Sequence, residues 1–381
     1  MRLNYKRLGE YIQPVEGRNT DLRDIPLMGL SINKVFIPSI ANTVGTNMAT
    51  YRIIKRNQFG YGPVTSRNGE KITIAVFDDY NEAMISQAYV PFEVTDTEKL
   101  SPEYLMMWFR RPEFDRYARF KSHGSAREIF SWDEMQEVTL PIPHINKQRE
   151  IVKEYNTIQN RIQLNEQLIQ KLEETAQAIY REWFVEFEFP DENGKPYKRN
   201  GGEMVDSEFG EIPLNWEVGT LFDLIELQRG FDLPTQNRIE GTYPIFASTG
   251  TSEKHNEFRV KAPGIVTGRS GSLGEVFYVD EDFWPLNTTL WVKHFKKATP
   301  IFSYYVLKGI NIIDYNGGSA VPTLNRNDIH RHQLIVPEKA VVEKFEKLQQ
   351  TFFKQIKILN QENQKLTELK ALLLSKLATV V

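Results

Sequence analysis

The feature that most narrows what this chain can fold into is an internal duplication. Gly-Ser-Ala occurs at residues 124–126 and again at 318–320, and each copy is followed by a strand-like run ending in proline and then by a long charged segment rich in Leu and Ile. Other blocks recur in the same order. "VTSRNG" (64–69) matches "VTGRSG" (266–271), and "MWFRR" (107–111) sits where "YYVLKG" (304–309) sits in the second half. Inside the long segments, "QKLEE" (170–174) matches "QKLTE" (364–368) at the offset of the Gly-Ser-Ala pair, while the earlier blocks lie farther apart. Insertions therefore fall in the globular parts and not in the helices. A repeat decides architecture. Here the repeated unit is a globular domain followed by a long helix.

The helices are legible from their period. From Ile151 the mostly apolar positions are Ile151, Tyr155, Ile158, Ile162, Asn165, Ile169, Leu172, Ala176, Ile179 and Trp183. Spacings of four and three alternate throughout, which is a heptad seam. The second copy reads Phe345, Gln349, Phe352, Ile356, Leu359, Asn363, Leu366, Lys370, Leu373 and Leu377, with Gln349 and Lys370 as blemishes. Each seam covers about 33 residues, or about 50 Å of helix. A seam that long needs a partner, and the simplest is the other copy. With antiparallel helices and aligned ends, Ile151 faces Leu377, Trp183 faces Phe345 and Asn165 faces Asn363. A buried asparagine pair costs stability but fixes register; the alternative puts both amides at a solvated edge. The chain would run from one domain along a helix to a second domain and back, with pseudo-twofold symmetry.

The globular halves read as mixed α/β (α+β). Runs such as "KITIAVF", "ISQAYVPFEV", "EVFYV" and "TTLWVKHF" are strand-like and bounded by Gly, Asn, Asp and Pro. A chain of 381 residues exceeds one ordinary core, and 40% apolar with 25% charged residues describes a folded soluble protein. No apolar run approaches a membrane span and no signal-peptide core opens the chain, so a cytoplasmic protein with no membrane partner is expected. The absence of cysteine excludes disulfides, thiol catalysis and Cys-ligated metals.

A net charge of −3 does not advertise nucleic-acid binding, so local charge matters more. Arg110, Arg111, Arg116, Arg119, Lys121 and Arg127 form one basic stretch, and Lys254, Arg259, Lys261 and Arg269 a second. Two similar domains at fixed separation suit a duplex target with two half-sites, because B-DNA repeats a groove face every ~34 Å. Diverged halves imply unlike half-sites. Arg with Asn, Ser or Gln in a flexible loop suits the major groove. The candidates are Ser66, Arg67 and Asn68; Lys121, Ser122, His123, Ser125 and Arg127; Arg269, Ser270 and Ser272; and Asn316, Ser319, Asn325 and Arg326. Because the loops recur in both domains, Arg67 and Arg269 read first as phosphate or framework contacts and second as base readers. Base choice belongs where the halves disagree.

No polar-Pro-Pro-aromatic loop of an amino-methyltransferase is present. "TGRSGSLG" (267–274) lacks a P-loop ending, and "PDENGK" (190–195) reads as a turn in a linker. His330 and His332 could share a strand face but lack a third ligand. No catalytic residue or metal site is expected. Tyr180, Trp183 and Phe184 present more aromatic area than a two-helix seam needs, which suggests partner docking; packing against the second domain is the alternative.

Several stretches carry a family resemblance: "WFVEFEFPDENGKPYKRNGGEMVDSEFGEIPLNWEV", "VTGRSGSLGEVFYVDEDFWPLNTTLWV", "YLMMWFRRPEFDRYARFKSHGSAREIF" and both helices. The chain resembles the specificity subunit of a Type I restriction–modification system over nearly its full length. The resemblance implies target-recognition domains at 1–145 and 187–338, a central helix at 146–186 and a distal helix at 339–381. It implies a non-catalytic, host-defence subunit that reads an asymmetric bipartite sequence in double-stranded DNA. Its partners would be two methyltransferase subunits and, for cleavage, two restriction subunits. Modification is expected at adenine N6, using S-adenosylmethionine held by the methyltransferase subunit and no cofactor on this chain. The alternatives are the specificity part of a related methyltransferase or Type IIB-like system, or a two-site protein adaptor that does not bind DNA.

Overall fold

The computed structural model describes residues 5–41, 45–66, 69–124, 127–317 and 321–380. It divides into two units, Met1–Asn165 with Gln361–Val381, and Glu166–Asn360. The first holds strands β1 (Tyr5–Arg7), β2 (Ile12–Pro14), β3 (Leu27–Leu30), β4 (Phe36–Pro38), β5 (Arg52–Lys55), β6 (Phe59–Tyr61), β7 (Ile74–Val76), β8 (Glu82–Ile85) and β9 (Val90–Val94). Helices α1 (Pro102–Phe109), α2 (Pro112–Phe120) and α3 (Trp132–Gln136), strand β10 (Thr139–Pro141) and the start of α4 (Ile145–Phe184) follow. The second unit holds β11 (Met204–Ser207), β12 (Gly210–Pro213), β13 (Glu217–Thr220), α5 (Leu221–Leu224), β14 (Ile225–Arg229), β15 (Tyr243–Ala247), β16 (Gly250–His255), β17 (Gly264–Gly268), β18 (Val276–Val279), β19 (Trp284–Pro285) and β20 (Thr289–Phe295). It continues with α6 (Pro300–Gly309), α7 (Arg326–His330), β21 (Gln333–Val336) and most of α8 (Lys339–Lys376).

The duplication extends to strand order in the larger sheet, while among the described residues the smaller sheet has one strand fewer in the second unit. An antiparallel sheet β2-β9-β6-β7 in the first unit matches β14-β20-β17-β18 in the second. A second sheet, β4-β3-β8-β5, matches β16-β15-β19, and in both one pair is parallel: β3 with β8, β15 with β19. The pair β1 with β10 matches β13 with β21. The run "ISQAYVPFEV" is not one strand. A turn in which the Tyr89 amide donates to the Ser86 carbonyl (3.0 Å) breaks it, sending β8 to one sheet and β9 to the other. The aromatic blocks "MWFRR" and "YYVLKG" do not start helices either. Proline does so in both copies, Pro102 and Pro300, since its missing N–H is no loss in a first turn.

The long helices run 40 and 38 residues, about 60 Å each. They exceed the seam because residues 145–150 and 339–344 are helical too. Every position of both heptad seams is buried or half-buried. Within the first unit α4 and α8 run antiparallel. Ile151 and Tyr155 share a core with Leu374 and Leu377, Lys370 Nζ donates to Gln159 Oε1 at 2.8 Å, and Asn165 Nδ2 donates to Asn363 Oδ1 at 2.9 Å. Arg161 grips Glu362 with two bonds of 2.8 and 3.0 Å beside them. Within the second unit the same helices meet again. Gln349 Nε2 donates to the Ala176 carbonyl (3.0 Å), and Trp183 lies 5.8 Å from Phe345. The two seam blemishes, Gln349 and Lys370, are thus polar residues with cross-seam partners.

Candidate nucleic-acid interface

The sheets β2-β9-β6-β7 and β14-β20-β17-β18 each have one end at which described residues flanking the repeated motifs meet. In the first unit β2 ends, β6 ends and β9 begins at that end. The chain after β6 carries Thr65, whose amide donates to the Glu128 carbonyl at 3.0 Å, and Val64 bridges Ile129. His123 and Ile129 exchange backbone bonds of 3.1 and 2.9 Å. Val64 and Thr65 of "VTSRNG" therefore lie against Glu128 and Ile129, which follow Gly-Ser-Ala in the chain. In the second unit β14 ends, β17 ends and β20 begins at the matching end. Leu324 donates to the Arg269 carbonyl (2.8 Å), Gly271 to the Pro322 carbonyl (3.0 Å), and Ser270 bridges Thr323. The matching chain segments are side by side again. Gly69 and Gly271, the last residues of the matched blocks, both take left-handed φ, +62° and +89°. Glycine adopts that conformation without strain, so this part of the motif shapes a turn.

The structure sorts the candidate residues. Arg67, Asn68, Ser125 and Ser319 lie outside the described residues. Ser66, His123, Arg127 and Arg326 are exposed. Lys121 is paired with Glu134 at 3.2 Å. Ser122 is corrected from a DNA contact to a helix-end residue: it is buried, and its hydroxyl donates to the Ala118 carbonyl at 2.7 Å. Asn316 Oδ1 accepts from the Thr323 amide (2.9 Å) and Asn325 Oδ1 from the Asn327 amide (3.0 Å), so both hold the loop and the α7 N-terminus. Arg269 is half-buried, reaching the Asn287 carbonyl at 3.4 Å, with Ser270 and Ser272 half-buried beside it.

The basic stretch 110–127 is largely neutralised. Arg111 is buried over Trp108 (4.3 Å) and paired with Glu113, Arg116 also meets Glu113, Arg119 pairs with Glu128, and Arg110 covers Tyr155 (5.6 Å). Deeper in, Lys34 pairs with Asp115 at 2.8 Å, both nearly buried, and burial pulls the Lys34 pKa down against that pairing. Tyr180, Trp183 and Phe184 are likewise corrected. Trp183 and Phe184 are buried and Tyr180 half-buried in the aromatic core of the second unit, with Phe184 4.6 Å from Phe302 and Tyr180 stacked 5.1 Å from Tyr305. Their aromatic area faces inward, where Trp216 and Phe345 also pack, and is no docking surface. His330 ends α7, where its Nε2 accepts from the Leu227 amide (2.8 Å), and His332 meets the Tyr315 hydroxyl (2.6 Å). Burial lowers both histidine pKa values. Asp191 Oδ1 accepts from the Asn193 and Lys195 amides at 2.8 Å, so "PDENGK" is a turn. Among the described residues no three metal-ligating side chains converge, and no helix is long and apolar enough to cross a membrane.

Sequence reasoning missed four residues at the loop end of the second unit. Asp232 Oδ1 accepts from Asn287 Nδ2 and from Arg229 Nη2 (3.3 Å), and Thr288 accepts at its carbonyl from the Arg269 and Ser270 amides (2.8 and 3.1 Å). No shared motif flags them. Only the strand ends, once known, bring them together.

Comparison with known proteins gives a consistent picture. A family model described as the Type I restriction modification DNA specificity domain matches residues 24–174 and 213–368. The MjaIX specificity subunit of a Type I restriction enzyme from Methanocaldococcus jannaschii is 26% identical over 292 residues, which is 69% of this chain and 64% of that protein. The HindI specificity subunit from Haemophilus influenzae is 21% identical over 91% of each chain. A crystal structure of a Type I restriction–modification S subunit from M. genitalium superposes with a TM-score of 0.64 at 15% identity, covering 100% of this chain and 99% of that one.

Proposed function

Because this chain belongs to the family of Type I restriction modification DNA specificity domains, we propose that it reads a bipartite, asymmetric sequence in double-stranded DNA for a Type I restriction–modification assembly. One unit serves each half-site. The observation that carries the reading is the repeated contact at one end of the matched sheets: the chain after β6 bonds to Glu128 and Ile129 ahead of α3, and the chain after β17 bonds to Pro322, Thr323 and Leu324 ahead of α7. Such a shared framework positions each unit on phosphates, while the loops that differ choose bases. In this reading the target-recognition domains are residues 1–145 and 187–338. The chain is the non-catalytic member of the assembly. Methyltransferase subunits holding S-adenosylmethionine dock on it and modify adenine N6, and restriction subunits join for cleavage.

The test is selection from random duplexes by this chain with its methyltransferase partner, followed by sequencing of methylated adenines. The expected result is one motif in two parts with an unread spacer. A bound pool without any split motif, or methyl transfer by the chain alone, sinks the proposal.

A further inference from the structure

Each unit has its own copy of the same sheet, so the residues at the matching strand ends are directly comparable. The Gly230 amide donates to the Thr289 carbonyl at 3.0 Å, and the Val15 amide to the Pro91 carbonyl at 3.0 Å. That register equates Arg229 with Pro14 and, counted on, Asp232 with Gly17; in the matching turns that follow β19 and β8, closed by the Thr289 amide on the Leu286 carbonyl (2.9 Å) and by the Tyr89 amide on the Ser86 carbonyl (3.0 Å), Asn287 stands where Gln87 does. The second unit therefore carries a cation and a carboxylate where the first carries proline and glycine, while both carry an amide in the turn. The three polar side chains are also linked. Asp232 Oδ1 receives Arg229 and Asn287 together, and the Asn287 carbonyl receives Arg269. Arg229 and Asp232 remain largely open to solvent despite the pairing, at 49% and 66% side-chain exposure.

Resting on the DNA reading above, we infer that Arg229 and Asn287 are specificity-determining residues of the second unit, with Asp232 as the residue that positions both. The chemistry fits purine edges in the major groove. Arg229 places one N–H on Asp232 and keeps donors for guanine O6 and N7. Asn287 gives one amide hydrogen to Asp232 and retains the other with Oδ1, the donor–acceptor pair that adenine N7 and N6 require. An exposed Arg–Asp pair adds little to stability, so the cluster's contribution lies in holding two side chains in fixed poses before DNA arrives.

The experiment compares wild type with Arg229→Lys, Asn287→Ser and Asp232→Ala, each assembled with its methyltransferase partner, by selection from random duplexes and by titration against the selected duplex. Arg229→Lys keeps the charge and loses the two-pronged donor. It should weaken cognate binding about tenfold, relax preference at one guanine in a single half-site, and leave the salt slope unchanged. Asn287→Ser should relax one adenine in the same half-site, and Asp232→Ala should relax both positions together. Wild-type preference retained by Arg229→Lys and Asn287→Ser, or relaxation in both half-sites, overturns the assignment while leaving the bipartite reading intact. A wild-type pool without a split motif removes both. Circular dichroism separates these outcomes from misfolding. If one variant is unfolded, the other carries the test, because Arg229 ends β14 and Asn287 lies in the turn before β20.

Discussion

The Asn165–Asn363 contact can be tested by a double-mutant cycle. The bond is 2.9 Å, Asn165 is 2% exposed and Asn363 is half-buried. Replacing Asn363 with Leu leaves a buried amide that has lost its neutral partner, a cost of about 1–3 kcal/mol. The Glu362 carboxylate, which also accepts from Asn165, keeps that cost near the lower end. Replacing Asn165 with Leu leaves Asn363, which water can reach, so about 1 kcal/mol is expected. The double replacement removes both orphans and closes the seam with two leucines, so it should equal or exceed wild type in stability. The cycle then gives a favourable coupling of about 1–3 kcal/mol between the leucines relative to the two singles. Urea unfolding followed by far-ultraviolet circular dichroism measures it. A second readout follows register. The native chain has no cysteine, so cysteines introduced at Ala176 and Gln349, which meet across the seam, report alignment through a short thiol cross-linker. The double leucine variant should cross-link less, because an apolar seam tolerates slippage. Neutral single variants, with a double equal to their sum and unchanged cross-linking, would refute a register role.

Three further outcomes follow from particular side chains. Glu346 accepts from the Ile301 and Phe302 amides at the start of α6 (3.0 and 3.4 Å), and burial raises its pKa. The unfolded chain releases this proton first, so stability falls as pH climbs from the ordinary carboxylate value through the raised folded one; Glu346→Gln should flatten that fall in urea midpoints compared at about pH 4 and about pH 8. Lys34→Met strands Asp115 in a nearly buried position where the Ile72 amide (3.1 Å) still reaches it, and should cost about 3 kcal/mol in the same assay; an unchanged midpoint would show that water reaches the carboxylate freely. Arg127→Ala, in the loop before α3, and Arg326→Ala, at the start of α7, both at exposed positions, should weaken binding uniformly across duplex sequences and lower the salt slope by about one each; altered base preference would make them readers and not phosphate contacts.

The rods were legible in the sequence because a heptad is a local pattern and needs no tertiary information. Even its facing residues followed, since antiparallel alignment with matched ends leaves one register. The blemishes at Gln349 and Lys370 were not interpretable, because their partners, a backbone carbonyl at Ala176 and the amide of Gln159, lie on the other helix. The globular halves obeyed the opposite rule. Sheet order there depends on contacts far apart in the chain, and the turn that divides "ISQAYVPFEV" between two sheets leaves only a weak mark. The aromatic triplet at 180–184 failed for a related reason: hydrophobic area in a sequence does not say which side of it is covered, and here Phe302 and Tyr305 of α6 cover it.

The recognition loops show the limit most clearly. Repetition finds what two domains share, and what they share is a scaffold: a glycine in left-handed conformation, a backbone bond between two loops, an asparagine or serine at a helix start. In the proposed reading, discrimination between DNA sequences comes from what the copies do not share, and repetition leaves those positions unmarked. Arg229 and Asp232 stand where the sheet register of the first unit has a proline and a glycine, and Asn287, opposite Gln87 in the matching turn, is tied to them only through the Asp232 carboxylate. In a duplicated reader, structural equivalence is therefore the instrument for finding specificity. The strongest candidates are the pairs whose backbones coincide and whose chemistry does not.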